Sequence, residues 1–270
     1  MIYRAIQLIQ IFLAGGRTDG RTDGRTNEGN PRGPRGPKKR SAVDLNIRKQ
    51  ILKAKVMAVG GREVVASLGD CLVREEDMLL LRPGQWLNDQ LIGIIFELSE
   101  QETFAGSDIA FIGPEVTQFI KVSPATELAS CMEPLGLSSK HAVMWALNNC
   151  ANLDAPGGSH WSLLVFVRHS LTFYHLDSSA GMNSLVAKEM ARRATKLVGG
   201  EGQASVVEMD VDQQTNGHDC GVFLLLNALR VGAVLKNRGD IATSLPPLSP
   251  KQISDGRASL EATIKSIGRR

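Results

Sequence analysis

The sequence predicts an α+β fold, one mixed sheet flanked by helices. Three observations carry this. Apolar runs of strand length at 142–147, 160–167, 170–177 and 204–209 fall together in the middle of the chain. Segments with apolar residues at helical spacing lie before and after them, so strands sit between blocks of helices. Turn formers such as Pro83-Gly84, Gly157-Gly158 and Asn216-Gly217 separate the segments.

Taken in order, residues 64–72 read as an edge strand and turn. Glu75-Glu76-Asp77 starts a helical turn through Leu81, which Pro83-Gly84 ends. Trp86-Leu87-Asn88-Asp89 opens an amphipathic helix, with Asn88 or the preceding turn as cap and Leu91, Ile92, Ile94, Ile95, Phe96 and Leu98 inward. Pro114 suits the first position of the next helix, where its missing N–H costs nothing, and 126–132 forms a third. Residues 142–147 make a buried strand, with Trp145 as core, followed by a polar loop, 148–158. The runs 160–167 and 170–177 read as a hairpin with a tight Arg168-His169 turn. In that register residues 160 and 177 fall directly opposite. Residues 184–198 show helical spacing through Leu185, Val186, Met190, Ala191, Ala194 and Leu197. A strand at 204–209, a helix from Cys220 and a last helix at 251–267 complete the series.

The length of 270 residues allows one large domain or two small ones. Charge divides the chain. Residues 1–62 hold 14 Lys and Arg against 4 Asp and Glu, and residues 63–270 hold 17 against 24. Residues 1–14 are apolar but too short to span a bilayer; they read as a signal-peptide core cut at Ala14-Gly15-Gly16, or as a transit peptide. The tandem Arg-Thr-Asp-Gly repeat and the Pro-Arg-Gly run that follow cannot bury a core. They read as a disordered solvated tail, with a nuclear signal at Lys38-Lys39-Arg40 as the alternative, or as the product of a repetitive DNA tract. A helix is expected within 41–62. The acidic remainder suits a basic protein segment and argues against nucleic acid. Cys71, Cys131, Cys150 and Cys220 show neither CxxC nor zinc spacing. They read as reduced thiols of the cytosol or nucleus, and no metal or cofactor is expected.

Chemistry concentrates at Gln214-Thr215-Asn216-Gly217-His218-Asp219-Cys220-Gly221. Asn216-Gly217 is a turn and Asp219 a helix N-cap, so Cys220 falls at a helix start, where free N–H groups and the dipole favour thiolate. Gly221 leaves room beside the sulfur for a substrate backbone. A buried structural cysteine is the competing reading. A cysteine nucleophile needs a base, a group to orient it and oxyanion donors. His160, at the start of its strand, is the base; Asp177, at the end of the next, is the orienting carboxylate. Gln214 and the Cys220 N–H are the donors. His141 reads as a satisfied edge residue, His169 as a hairpin tip, His175 as sheet filling and His218 as turned outward.

The order His160-Trp161, Asp177-Ser178, Gln214 and Asp219-Cys220-Gly221 resembles the adenain-type proteases specific for ubiquitin-like proteins, the sentrin-specific protease family, and within it the deneddylase. Trp86-Leu87-Asn88-Asp89, 113–121, 157–165 and Tyr174-His175-Leu176-Asp177-Ser178 carry the likeness, which covers roughly 65–268. Gly181-Met182 and His218 depart from it, and the tail after about 235 fits loosely.

The resemblance implies a papain-like, adenain-type fold for residues 63–270 and a thiol isopeptidase acting on modifiers that end in Gly-Gly. It implies that Trp86 and Trp161 line a narrow slot for the two glycines, that Asp89 pairs with an arginine near the modifier's tail, and that Gly158 belongs to a substrate-contacting loop. The expected partners are a ubiquitin-like modifier, above all the neddylation modifier, and its conjugates, such as cullin-type proteins. A monomer without membrane attachment is expected. A sentrin-type specificity and a non-catalytic binder are the alternatives. An acetyltransferase of similar site order needs a basic inositol-phosphate pocket, which the acidic domain does not suggest.

Overall fold

The computed structural model describes residues 63–151, 157–202 and 205–269. The leader, the helix expected within 41–62 and the 152–156 part of the loop 148–158 lie outside the described residues.

The stretch 64–72, read as one edge strand, is part of a hairpin: β1 (Val64–Leu68) and β2 (Cys71–Arg74) pair antiparallel. Gly69-Asp70 makes the turn, and Gly69 takes the positive φ of +56° that such turns need. The short helix α1 (Glu75–Leu79) follows, then α2 (Asp89–Leu98). Asn88 caps α2, its side-chain oxygen accepting from the Leu91 N–H at 3.2 Å. Next come β3 (Ile109–Ile112), α3 (Pro114–Val122), with Pro114 at its first position, and α4 (Ala125–Met132). The sequence reading assigns no strand at 109–112, because four apolar residues show no period. The chain continues through β4 (Ala142–Asn148), β5 (Trp161–Val167), β6 (Thr172–Leu176), α5 (Ser184–Ala194), β7 (Ser205–Glu208), α6 (Cys220–Lys236), α7 (Ile241–Ser244) and α8 (Pro250–Gly268).

The five strands β3 to β7 form one sheet in sequence order. The outer pairs, β3 with β4 and β6 with β7, are parallel; the two inner pairs are antiparallel. The sheet is mixed, as expected. Helices cover both faces, which is why β4 reads as an unbroken apolar run. Met144 and Ala146 pack with α2, α6 and α8, while Val143, Trp145 and Leu147 pack with α3, α4 and α5. Helix α6 is buried over most of its circumference, so its amphipathic stripe is faint. On α5 the inward face is Ala187, Met190, Ala191 and Ala194. Leu185, part of the helical apolar spacing, is 82% exposed; two positions from Ala187, it points about 200° away around the helix.

The β5–β6 hairpin also departs from expectation. A two-residue turn would require positive φ at Arg168, and in its type I′ form at His169 as well. The chain uses four residues, 168–171, with the positive φ (+50°) at Leu171. The register therefore pairs Leu163 with Leu176 and Val167 with Thr172. Continued outward, it sets Asp177 opposite Ser162, and His160 is two residues off rather than directly opposite. A two-residue slip keeps every side chain on its own face.

Candidate active site

Three chain segments meet at the site: the start of α6, the residue before β5 and the residue after β6. Because the slip preserves the face, His160 and Asp177 are diagonal neighbours within side-chain reach. His160 Nε2 lies 2.5 Å from Asp177 Oδ1, with both side chains buried. With Nε2 committed to the carboxylate, Nδ1 is the nitrogen left for the Cys220 thiol, with which the ring also hydrogen-bonds. Burial lowers the basicity of His160, but its hydrogen bonds to Asp177 and Cys220 and their charges outweigh that, and its pKa is raised to about 9. Asp177 is desolvated, which alone would raise its pKa. Bonds from His160 and from the Ser179 and Asn183 N–H groups (2.9 and 3.0 Å) hold it below the ordinary carboxylate range instead.

Cys220 is the first residue of α6 and is 2% exposed. Cys71 is no rival nucleophile: burial, with Glu97, Glu115 and Asp70 nearby, pushes its thiol up to about 12. Asp219 stands at the N-cap position but makes no side-chain cap bond. Its carboxylate is drawn instead to Arg257, 2.7 Å from Nη2. The space beside Gly221 is also differently used. A Cβ there would sit 2.9 Å from the Leu87 Cβ, so glycine admits Leu87 rather than a substrate backbone.

The other expected residues fall around these. Gln214 is anchored by its backbone N–H to Ser178 O (2.8 Å) and by the Ser178 hydroxyl, which donates to its Oε1 (2.8 Å). Its amide nitrogen donates to Asn216 O at 2.5 Å, which uses one of two N–H groups. Trp86 is 50% exposed and its Nε1 donates to Gly217 O at 2.7 Å, so its ring borders the turn before Cys220. Trp161 is 6% exposed, packs in the core beneath and donates to Leu87 O at 3.0 Å. Gly158 takes φ +86°, and a Cβ would collide with the Asn148 amide at 1.8 Å. Asp89 lies apart from this group. It borders a cleft of about 480 Å³ with Gln90, Cys71 and Glu97, and none of His160, Asp177 or Cys220 lines that cleft.

Of the remaining histidines, His175 is more than sheet filling. Fully buried, it lies between Glu208 Oε2 (2.6 Å) and Ser162 Oγ (2.9 Å). Asn183 Nδ2 donates to the same Ser162 oxygen at 2.9 Å, while the Asn183 N–H holds Asp177. His141 is not satisfied at its ring: its buried Nε2 has no hydrogen-bond partner among the described residues, and the ring stacks on His169 at 6.2 Å. Sequence reasoning also missed Asn149. Its Oδ1 accepts from the Ser159 and His160 N–H groups (2.7 and 3.2 Å) and fixes the approach to β5. A lone Asn in a polar loop gives no signal of this; Asn183, next to a helix start, gives a weak one.

A thiol at a helix start, against an imidazole held by a buried carboxylate, on a mixed sheet between helices, defines a cysteine peptidase. The C-terminal catalytic domain of the Ulp1 protease family matches residues 152–231. Sentrin-specific protease 8 of Homo sapiens is 37% identical over 213 residues, 77% of this chain and 99% of that protein. NEDD8-specific protease 1 of Arabidopsis thaliana is 34% identical over 213 residues, 75% and 93% of the respective chains. Among solved structures, the C-terminal Ulp1 protease domain in complex with Smt3, the yeast ortholog of SUMO, aligns with a TM-score of 0.60 at 14% identity. That alignment covers 83% of this chain and 96% of that one and shares the fold. The chain belongs to the Ulp1 family of cysteine proteases, alongside the sentrin-specific and NEDD8-specific proteases.

Proposed function

We propose that this protein is a deneddylase, a thiol isopeptidase and peptidase that cleaves after the terminal glycine of NEDD8, with His160, Asp177, Gln214 and Cys220 as its catalytic residues. The observation that carries the reading is the His160 imidazole, bonded to the Asp177 carboxylate through Nε2 and hydrogen-bonded to the Cys220 thiol. The names of the relatives at 34–37% identity support the choice of modifier.

In this mechanism the Cys220 proton rests on His160, whose raised pKa of about 9 keeps the imidazolium at neutral pH. The thiolate attacks the carbonyl carbon of the terminal glycine. The Cys220 N–H and the second N–H of Gln214 hold the oxyanion. His160 Nδ1 gives its proton to the leaving amine, a lysine side chain of a conjugate or the first residue of a precursor tail, and the C–N bond breaks. Water then loses a proton to His160 and attacks the thioester. The carboxylate leaves and the thiolate–imidazolium pair is restored. Trp86 above and Trp161 below form the slot for Gly-Gly, which selects by excluding side chains. Gly158 and Asp89 contact the modifier, Asp89 through an arginine. Residues 63–270 form the catalytic domain, acting on conjugates such as neddylated cullin-type proteins in the cytosol or nucleus.

The test is a panel of NEDD8, SUMO and ubiquitin, each with a C-terminal fluorogenic amide. Cleavage of NEDD8 at least a hundredfold faster than of the others is expected. A preference for SUMO would move the protein to the sentrin-type specificity, and no cleavage of any would leave a binding protein. His160→Ala and Gln214→Ala should each lower kcat far more than they raise KM; an unchanged kcat removes that residue from its role.

A further inference from the structure

One side chain, remote in sequence and outside the motifs that identify the family, touches both borders of the site. Arg257 lies on α8 with its side chain 13% exposed. Its Nε and Nη2 both donate to Asp219 Oδ1, at 2.9 and 2.7 Å. Nη2 also donates to Gln85 O (2.6 Å) and His218 O (3.1 Å). Nη1 donates to Leu80 O (2.9 Å) and Arg82 O (3.1 Å). A single guanidinium, with five N–H groups in a fixed fork, thus joins the segment leading into Trp86 to the turn leading into Cys220.

The consequence concerns Asp219. An aspartate at the N-cap position ordinarily turns an oxygen onto the N–H of the second or third helical residue. Here Oδ1 is held by Arg257, Oδ2 accepts from Asn216 Nδ2 at 2.8 Å, and the Asp219 backbone (φ −94°, ψ 3°) stands outside the extended conformation that capping uses. Helix α6 begins without a side-chain cap. Its first N–H groups keep their donor capacity at the point where an acyl oxyanion would need it. A released Asp219 carboxylate would compete with the oxyanion for those donors and would set a negative charge beside the thiolate.

We propose that Arg257 is a positioning residue for the reaction: it diverts the Asp219 carboxylate from the start of α6 and so keeps the oxyanion donors there open, while fastening the Trp86 segment to the same turn. This rests on Cys220 being the nucleophile. Arg257→Met should lower kcat on the preferred fluorogenic amide by about a hundredfold, the loss typical of one disabled oxyanion donor. A merely structural ion pair would also be relieved by truncating Asp219, but through stability, so Tm is followed beside kcat. Diversion demands a change in rate among molecules that stay folded: in Asp219→Ala/Arg257→Met the competing carboxylate is gone, and kcat measured well below the Tm of every variant should recover at least tenfold over Arg257→Met alone. If Arg257→Met does not fold, Arg257→Gln runs the same cycle, with folding followed by Tm.

Wild type and Cys220→Ala are assayed beside them. The substrate is whichever of the NEDD8, SUMO and ubiquitin amides wild type cleaves fastest; wild type that cleaves none of them, or Cys220→Ala that cleaves, overturns the nucleophile assignment and this inference with it. A cleaving wild type, an inactive Cys220→Ala and a double variant no faster than the arginine variant overturn the role of Arg257 alone.

Discussion

His160 shows how much a single residue's surroundings decide. An isolated imidazole titrates near 6.5. Despite burial, its bonds to Asp177 and Cys220 raise it to about 9. The mechanism needs the imidazolium, so activity on kcat/KM should hold through neutral pH and fall with an alkaline limb near 9. Asp177→Asn removes both a hydrogen bond and a charge that favour the cation. That limb should move to lower pH, with kcat down by at least about a hundredfold; a pH–rate profile with the limb unmoved would detach Asp177 from His160. These residues were legible because a histidine, a carboxylate and a cysteine in that order form an uncommon pattern. The register of a two-residue turn and the observed register both set His160 and Asp177 on one face, because a slip of two residues preserves it. Asp219 was legible as a helix-start residue only. Its true partner, Arg257, lies 38 positions away, and nothing local announces it.

At the scale of elements, caps and prolines carried the most information. Asn88 and Pro114 mark the starts of α2 and α3 because their chemistry is local. Where an element is read from periodicity alone, packing decides: the apolar spacing of α5 includes Leu185, while the small residues Ala187, Ala191 and Ala194 with Met190 form the buried face. The joint between the segment before α2 and the start of α6 depends on Gly221. Gly221→Ala adds a methyl 2.9 Å from Leu87 Cβ, and overpacking of this kind costs about 1–3 kcal/mol, against a gain of less than about 1 kcal/mol in helix propensity. Denaturant titration should show a net loss; an unchanged midpoint would mean that the Leu87 contact does not constrain this joint. The buried link between β6, β5 and α5 makes a second demand. His175→Phe leaves the Ser162 hydroxyl without its acceptor and should cost about 2 kcal/mol or more. His175→Gln, which can still accept from Ser162, should cost less by the same titration.

The described residues pack a core on each face of one sheet, and the site sits where three segments end. The C-terminal tail, which fits the family pattern loosely, belongs to that core. Leu260, Ile264 and Ile267 of α8 are buried in the cluster that contains Cys220 and Trp161. Arg230 on α6 ties Asp212 and Pro246 O together, at 3.0 and 2.5 Å. Ile264→Ala should therefore destabilise the fold by about 2–5 kcal/mol, as burial in a packed core requires, and a cost near zero in a urea melt would separate the tail from the core. Sequence could not show this. Long-range packing leaves no local period, and the acidic charge of residues 63–270 speaks to partners rather than to fold.

The most direct measurement is covalent. NEDD8 carrying a C-terminal electrophile is incubated with the protein, and the adduct is mapped by peptide mass across Cys71, Cys131, Cys150 and Cys220. A single adduct at Cys220, lost in Cys220→Ala and slowed in His160→Ala, is the expected result. Labelling of another cysteine, or labelling that persists in Cys220→Ala, would contradict a site in which the thiol at the start of α6 does the chemistry.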